Sequence, residues 1–367
     1  MEWKEKLTRP FDLYEISRAR PYLMGIATLW ITFYHSVYLN LFESSFLTKT
    51  HLLSILTRVE SIGNCGVDLF FFLSALGLYF SYTGSLEKEP HPVRSFYARR
   101  FGRILPALLL ASVLTYAMLP EPDLANWAGT VFLYGFFVPG LSVGRFWYLS
   151  ATLALYLVFP LLHRALRGKR SLLRLLAVLG GIAAVTLLFR YVFSDFYFAH
   201  AFYLFLNRLP VFVLGAYTGK LCYERRKAPA WAAAAAVPLA VLLVFVIADF
   251  PLQDYQRLWE YILLVPCFVL AHAAVLSRFR KWGFVTRSVM TVGTFSMEIY
   301  LIYESVYYHA TGLFVTPPDA TGLAYALTCF TATLALAVLL KTVAGQLTRV
   351  YRAQGDSAPR VRQEETS

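Results

Sequence analysis

Three charged side chains and one histidine lie inside long apolar segments of the chain. They are His35, Asp68, Arg208 and Glu304. A charged residue at the centre of a membrane-spanning helix costs about 2.5–3.5 kcal/mol, so such residues usually face a cavity or a partner. At about 1.5 Å per helical residue, all four lie at one depth, roughly 7–10 Å from the outer ends of their segments. We predict an acid–base centre in which a carboxylate, Asp68 or Glu304, orients the imidazole of His35.

Each of these residues also has a structural interpretation. A single histidine in a spanning helix is often a polar packing residue. Arg208 comes two residues before Pro210, so its side chain can extend toward the membrane surface from a helix end. Asp68 fits a structural ion pair as well as a reactive site. The sequence leaves both interpretations open for each residue.

A dense basic cluster lies within SFYARRFGRILP at 95–106. Its spacing places Arg99 and Arg103, or Arg100 and Arg103, on one face of a helix. Planar guanidinium groups bind phosphate through paired hydrogen bonds, so the cluster is suited to an anionic donor that arrives from the cytosol. The alternative is that the cluster only orients the chain, because cytoplasmic loops are enriched in Lys and Arg.

The overall composition predicts a membrane protein. Of 367 residues, 58% are apolar and 15% are charged, whereas soluble proteins carry about 45–50% and about 25%. The formal charge of +12 lies in short clusters between apolar segments, which fits membrane orientation and not nucleic-acid binding. The four cysteines have no CxxC spacing, so they indicate neither a metal site nor a disulfide framework.

Apolar segments of about 20 residues predict an all-α polytopic fold with about ten transmembrane helices. The segments are 22–42, 63–84, 101–119, 146–163, 171–193, 201–221, 229–248, 257–276, 289–309 and 323–344. The first is too long for a signal-peptide core and lacks a small-residue cleavage site, so we expect an uncleaved anchor. We divide the chain into a cytoplasmic segment at 1–21, a ten-helix domain at 22–344 and a polar, disordered cytoplasmic tail at 345–367.

The distribution of basic residues supports this count. With ten spans, 28 of the 34 Lys and Arg residues fall on one side of the membrane and 6 on the other. An error of one helix would reverse every later loop. The asymmetry therefore predicts ten spans with both termini in the cytoplasm.

Six segments, taken in order, resemble the membrane-bound acyltransferase 3 family over most of the chain, from about residue 22 to 343. They are YLMGIATLWITFYH at 22–35, GVDLFFFLSALGL at 66–78, FYARRFGRILP at 96–106, WYLSATLALYLVFPLL at 147–162, RLPVFVLGAYTG at 208–219 and FSMEIYLIYESV at 295–306. Each segment alone is a weak signal, but six in the family's order form a specific combination.

The resemblance implies transfer of acyl groups, usually acetyl from cytosolic acetyl-CoA, to carbohydrate hydroxyls at or beyond the outer face of the plasma or inner membrane. It implies that His35 is the catalytic histidine and that Arg100 and Arg103 form the paired arginine motif near the donor. Acyl-CoA is then a substrate, and no tightly bound cofactor is expected. The expected partners are membrane lipids and a carbohydrate or glycolipid acceptor, with no nucleic acid, and the oligomeric state is left open.

The chain departs from the family's pattern at three positions. The family commonly has an arginine eleven residues before its histidine, where this chain has Met24, and Arg20 lies one turn earlier. Tyr303 stands where the family often has histidine, and Ala75 replaces the usual glycine after a serine. The candidate supporting residues are Arg20, Arg208 and Ser74.

The predicted mechanism is direct acyl transfer. The phosphates of a CoA thioester bind at the arginine cluster, and neutral His35 removes the proton of an acceptor hydroxyl as it attacks the thioester. Two alternatives stay open. A proton-coupled carrier, or a lipid or glycan flippase, would use the same histidine and carboxylates as a proton relay. A family member without catalytic activity would serve as a binding subunit, and the replacement at Met24 keeps that alternative open.

Overall fold

The computed structural model describes residues 9–38, 51–117, 124–132, 134, 146–193, 205–249, 254–278, 283–313 and 320–357. These residues form thirteen α-helices and one pair of two-residue strands. The helices are α1 (Tyr14–Tyr38), α2 (His51–Ser61), α3 (Cys65–Lys88), α4 (Pro92–Ala117), α5 (Leu124–Val131), α6 (Trp147–Leu166), α7 (Ser171–Tyr191), α8 (Leu209–Tyr223), α9 (Ala230–Asp249), α10 (Asp254–Arg278), α11 (Phe284–Thr294), α12 (Ser296–Leu313) and α13 (Ala320–Ser357). The strands β1 (Phe11–Asp12) and β2 (Lys227–Ala228) pair antiparallel.

Seven of the described helices are long and apolar enough to cross a membrane: α3, α4, α6, α7, α9, the part of α10 from Tyr261 to Arg278, and the part of α13 from Ala324 to Arg349. They correspond to seven of the ten predicted segments. The prediction of an all-α, multi-pass membrane protein is confirmed.

The other three predicted segments are also helical, but their helices differ from simple spans. The first helix, α1, begins at Tyr14 within the predicted cytoplasmic segment, and its first two turns carry charged residues. The sixth predicted segment forms α8, which has only 15 residues. The ninth, 289–309, was predicted as one helix and is two, because the helix breaks at Phe295 between α11 and α12.

The break between α11 and α12 is stabilised from α13. The ammonium group of Lys341 donates a hydrogen bond to the carbonyl oxygen of Thr294, the last residue of α11. It also lies 4.4 Å from the ring centroid of Phe295. A side-chain donor thus replaces a helix hydrogen bond that a continuous helix would form. Beyond this contact α13 continues to Ser357, into the region predicted as a tail from residue 345.

Glycines allow the site-bearing helices to pack closely. A Cβ atom added at Gly25 of α1 would lie 1.9 Å from the carbonyl oxygen of Val289 in α11. One added at Gly215 of α8 would lie 2.2 Å from the carbonyl oxygen of Phe72 in α3. Small residues are a common means of close helix approach in membranes. Helix α1 consequently packs against α3, α8, α10, α11 and α12 and occupies the middle of the bundle.

Candidate functional site

A cavity between α1, α3, α4, α6 and α12 collects basic and aromatic side chains. Its basic residues are Arg20, Arg100 and Arg103, and Met24 and Ser74 also line it. The remaining lining residues are Phe70, Ile104, Tyr148, Leu149, Thr152, Tyr156, Ser296, Met297 and Tyr300. The structure therefore brings four predicted site residues, from three helices, to one cavity. We call it the arginine cavity.

The position of Arg20 is fixed by α3. Its Nε donates a hydrogen bond to the carbonyl oxygen of Leu73 at 2.8 Å. A Cβ atom at residue 77 would lie 2.9 Å from the guanidinium carbon of Arg20, so Gly77 leaves room for the guanidinium in this position. Arg20 and Met24 are one turn apart on α1 and line the same cavity. Arg20 thus supplies a guanidinium group beside the position of Met24.

The three arginines predicted to bind the donor separate into two groups. Arg100 and Arg103 line the arginine cavity, and the Nε of Arg100 is buried with no hydrogen-bond partner in the described part of the chain. Arg99 is directed elsewhere, since it pairs with Glu89 at 3.2 Å and donates to the hydroxyl of Ser85. A buried, unpaired donor on a charged group is costly. Arg100 is therefore better placed than Arg99 to bind an anionic ligand.

The first turn of α12 also borders the arginine cavity. Ser296 and Met297 are lining residues, and they follow directly after the break at Phe295. Backbone N–H groups at a helix N-terminus lack intrahelical partners and carry partial positive charge. None of the lining residues in the described part of the chain is acidic. Three arginines and a helix N-terminus make this cavity suitable for phosphate or for a polarised thioester carbonyl.

His35 lies near the other end of α1. Its Nδ1 is 2.8 Å from the carbonyl oxygen of Ile31, and its ring centroid is 5.1 Å from that of Tyr34 and 5.2 Å from that of Tyr303. A carbonyl oxygen only accepts hydrogen bonds, so in a neutral imidazole Nδ1 carries the proton. Nε2 is then the nitrogen able to accept a proton.

The arginine cavity and His35 lie along one face of α1. Met24 and His35 are eleven residues apart, which places them within about 20° of each other around the helix and about 16 Å apart along it. Arg20 lies about 60° from His35 around the helix and about 22 Å from it along the helix. The cavity and the imidazole thus lie on one face of α1, at different heights along the helix.

Aromatic rings of α6 and α12 also connect the arginine cavity to His35. The ring centroids of Tyr148 and Tyr300, which both line the cavity, are 5.1 Å apart. Tyr300 is 6.3 Å from Tyr303, and Tyr303 is the ring neighbour of His35. These rings form an aromatic row that runs from the cavity to the imidazole.

Asp68 faces α8 and not α1. A Cβ atom at Gly66 would lie 3.0 Å from the carbonyl oxygen of Ala27, so Gly66 marks the face of α3 that packs on α1. Asp68 is two residues later, about 200° around the helix. Its carboxylate forms a buried ion pair with Arg208. The predicted contact between Asp68 and His35 is therefore wrong, and the ion-pair alternative describes this residue.

Glu304 is placed differently from Asp68. It follows Tyr303 in α12 and is half-buried, so it belongs to the helix that contacts the ring of His35. The four polar residues at one predicted depth thus form two groups, one of Asp68 with Arg208 and one of His35 with the Glu304 segment of α12.

The comparisons with known proteins decide the family. Residues 22–342 match the acyltransferase domain that defines the acyltransferase 3 family. The chain belongs to this family. The match confirms the resemblance that the six sequence segments predicted. It contains α3, α4, α6 and α12 and all of α1 after Pro21, and Arg20 lies two residues before its start.

One relative aligns with part of the chain. Acyltransferase MdmB from Streptomyces mycarofaciens is 29% identical in an alignment that covers 42% of this chain and 42% of the relative. The chain thus aligns with less than half of that protein's length. No solved structure matches the chain.

Sequence reasoning missed a polar stripe on α6. Tyr148, Thr152 and Tyr156 all line the arginine cavity and follow one another at intervals of four residues. This spacing places them on one helical face. Three polar groups at this interval in an otherwise apolar helix could have predicted a face directed at a polar cavity. Asn207, which directly precedes Arg208 and is buried, was missed as well, because an uncharged amide inside the predicted segment 201–221 was not counted among the charged candidates.

Proposed function

We propose that this protein transfers an acyl group from acyl-CoA, most simply acetyl-CoA, to a hydroxyl group of a carbohydrate or glycolipid at the outer face of the plasma or inner membrane. The observation that carries the proposal is the position of the arginine cavity and His35 on one face of α1. Membership of the acyltransferase 3 family supports acyl transfer as the reaction. The name of the related acyltransferase MdmB agrees with it.

The donor binds from the end of the bundle that carries the basic cluster. Arg20, Arg100 and Arg103 provide charge-assisted hydrogen bonds to phosphate, each worth about 1.5–3 kcal/mol. The N-terminus of α12 adds backbone donors. The pantetheine arm then extends along α1 past Met24. The apolar side chain of Met24 can contact the arm and donates no hydrogen bond to the thioester.

His35 acts as the general base of the reaction. Its Nε2 accepts the proton of the acceptor hydroxyl while the hydroxyl oxygen attacks the carbonyl carbon of the thioester. The carbon–sulfur bond breaks, and the imidazolium returns the proton to the leaving thiolate, so the products are an ester and free CoA. Glu304 is the carboxylate proposed to stabilise the imidazolium, because it lies on the helix that contacts the histidine ring. Asp68 is proposed to position α8 through Arg208.

The test is transfer by the purified protein in lipid vesicles. Acetyl-CoA carrying a labelled acetyl group is supplied on one side and a panel of cell-envelope glycans on the other, and labelled glycan is measured. We expect ester formation that is strongly reduced in an Arg100→Gln/Arg103→Gln variant. Arg99→Gln is the matched control, because Arg99 lies outside the cavity and pairs with Glu89, and it should retain most activity.

Two results would contradict the proposal. Equal CoA affinity in the double variant and in the control would show that the arginine cavity does not bind the donor. Proton-coupled movement of a glycan or lipid without any labelled ester would favour the carrier alternative.

A further inference from the structure

A second polar cluster is buried near the N-termini of α3, α6 and α8, on the far side of α3 from His35. It consists of Asp68, Asn207 and Arg208, which are 0%, 1% and 4% exposed. Arg208 forms the ion pair with Asp68, and its guanidinium carbon lies 5.1 Å from the ring centroid of Trp147. We call these three residues the Asn207 cluster.

Four polar atoms of the Asn207 cluster have no hydrogen-bond partner among the residues that the structure describes. They are Oδ1 of Asp68, both amide atoms of Asn207 and Nε of Arg208. Proteins leave only a few buried polar groups unpaired per hundred residues, and each such group needs an explanation. Asn207 directly precedes Arg208, which pairs with Asp68, and the four unpaired atoms on these three residues favour a polar molecule as their partner.

The arrangement of these atoms defines the ligand's chemistry. The amide nitrogen of Asn207 and Nε of Arg208 donate, whereas the amide oxygen of Asn207 and Oδ1 of Asp68 accept. A hydroxyl group both donates and accepts, so a molecule with several hydroxyls satisfies both kinds of atom. The carboxylate of Asp68 would repel a simple anion, and the guanidinium of Arg208 would repel a simple cation, so neither kind of ion fits the site. The nearby indole of Trp147 provides an apolar surface of the kind that accompanies polar groups in ligand sites.

We propose that the Asn207 cluster binds hydroxyl groups of a polyhydroxylated acceptor. This inference rests on the proposed function, in which the acceptor is a carbohydrate. The cluster lies on the opposite side of α3 from His35, about the diameter of a helix away. The hydroxyls bound here therefore belong to a part of the acceptor other than the reacting hydroxyl, and the cluster contributes to the choice of acceptor.

The first test separates binding from a structural role. Asn207→Leu removes two unpaired buried atoms and keeps a similar volume, so we expect the melting temperature to stay the same or rise. The KM for the acceptor should rise at least tenfold, while the KM for acetyl-CoA stays unchanged. A lower melting temperature with an unchanged acceptor KM would overturn the inference, because Asn207 would then serve only the fold.

Asn64→Leu is the matched control. Asn64 is an asparagine just before α3 whose Oδ1 already accepts a hydrogen bond from the hydroxyl of Tyr261 at 2.6 Å. Its loss should lower the melting temperature and leave the acceptor KM unchanged. An acceptor KM raised equally in both variants would overturn the inference, since the effect would then not be specific to the Asn207 cluster.

A second test does not depend on catalysis. The protein in lipid nanodiscs is illuminated with an alkyl glucoside that carries a photoreactive group on the sugar, and labelled peptides are identified by mass spectrometry. We expect labels on residues 205–208 and 146–150, reduced at least tenfold in Asn207→Leu. A probe with the same alkyl chain and a head group without hydroxyls should not label these residues.

The outcomes separate this inference from the proposed function. Labelling by the glucoside without any acyl transfer by the wild-type protein would contradict the proposed function and support the hydroxyl site. Normal transfer with no labelling at these residues, or an experimental structure in which only water pairs the four atoms in the presence of the glucoside, would overturn the inference alone.

Discussion

Asp68 of α3 and Arg208, the residue that precedes α8, form an ion pair that is almost fully shielded from solvent. The pair lies at the end of a contact in which Gly215 and Gly219 of α8 pack directly on α3. Desolvation of two charges offsets most of their attraction, so such a pair adds little net stability. Its main effect is to fix the position of α8 relative to α3.

Replacing only one partner of the ion pair should lower the stability of the protein strongly. Asp68→Leu or Arg208→Met alone leaves an unpaired buried charge, and we expect each to lower the free energy of unfolding by about 3–5 kcal/mol. The double variant removes both charges and should recover most of that loss. Denaturant-induced unfolding in detergent micelles measures the three variants. A double variant as unstable as the sum of the single variants would contradict the coupling.

The glycine contact between α3 and α8 gives a second prediction. Gly215→Ala adds a Cβ atom 2.2 Å from the carbonyl oxygen of Phe72, so the helices must separate, and we expect a loss of about 1–3 kcal/mol of stability. Gly180→Ala is the control, because no atom of the described residues lies within 4 Å of a Cβ atom added at Gly180 in α7. It should be neutral or stabilising by up to about 1 kcal/mol. Equal effects of both substitutions on the melting temperature would show that the close contact is not needed.

The lipid-facing helices were the part of the fold that the sequence predicts well. Helices α7 and α9 are apolar over almost their whole length, so hydropathy and segment length alone are enough to detect them. The segments that differ from the prediction are the ones that carry polar or broken stretches. The end of α11 is an example, because the carbonyl oxygen of Thr294 is satisfied by Lys341, which lies 47 residues away in the chain.

The candidate site was predictable in its residue types but not in its pairings. Depth along a helix follows from counting residues, so His35, Asp68, Arg208 and Glu304 were placed at one level. The direction in which a side chain points around its helix determines its partner only when the neighbouring helices are known. A single sequence does not show which helices are neighbours. Asp68 therefore pairs with Arg208 on the α8 side of α3 and not with His35.

Glu60 predicts a pH dependence of stability. It is buried in α2, outside the spanning helices, and this burial raises the pKa of its carboxyl to about 7 from the ordinary value of 4.5. Between these two values the folded state keeps the proton and the unfolded state loses it. The contribution of Glu60 to the free energy of unfolding is therefore present below pH 4.5 and decreases as pH rises to 7.

The measurement is the melting temperature of the wild type and of Glu60→Gln from pH 4.5 to pH 8. The wild type should lose stability relative to the variant as pH rises through this interval. Parallel pH profiles would contradict the raised pKa, because the substitution would then remove no titration.

His35 should be essential for transfer but not for donor binding. A positioned general base contributes about 10²–10⁴-fold to the rate, so His35→Ala should lose at least a hundredfold in turnover. His35→Gln should do no better, since an amide cannot take the proton. Binding of acetyl-CoA by calorimetry should be unchanged in both variants, because the arginine cavity is about 16 Å from His35 along α1. Full transfer by His35→Ala would exclude the proposed mechanism.

Arg20 should take the place of the arginine that the family has at the position of Met24. Its guanidinium group enters the arginine cavity beside Met24, so Arg20→Ala should weaken CoA binding by the value of a charge-assisted hydrogen bond, about 1.5–3 kcal/mol. Met24→Arg in the Arg20→Ala background should restore part of the affinity. Gly77→Ala should have an intermediate effect, because it keeps the charge but displaces the guanidinium that lies 2.9 Å from the added Cβ atom.

Arg18→Ala is the control for this prediction, because Arg18 lies on α1 two residues away and pairs with Glu15 at 2.9 Å outside the cavity. Equilibrium binding of CoA to each variant measures the effect separately from catalysis. Equal affinity of Arg20→Ala and Arg18→Ala would show that Arg20 only ties α1 to the Leu73 carbonyl. A loss in Arg20→Ala that Met24→Arg partly reverses would show that the cavity needs a guanidinium on this face of α1, which either position can supply.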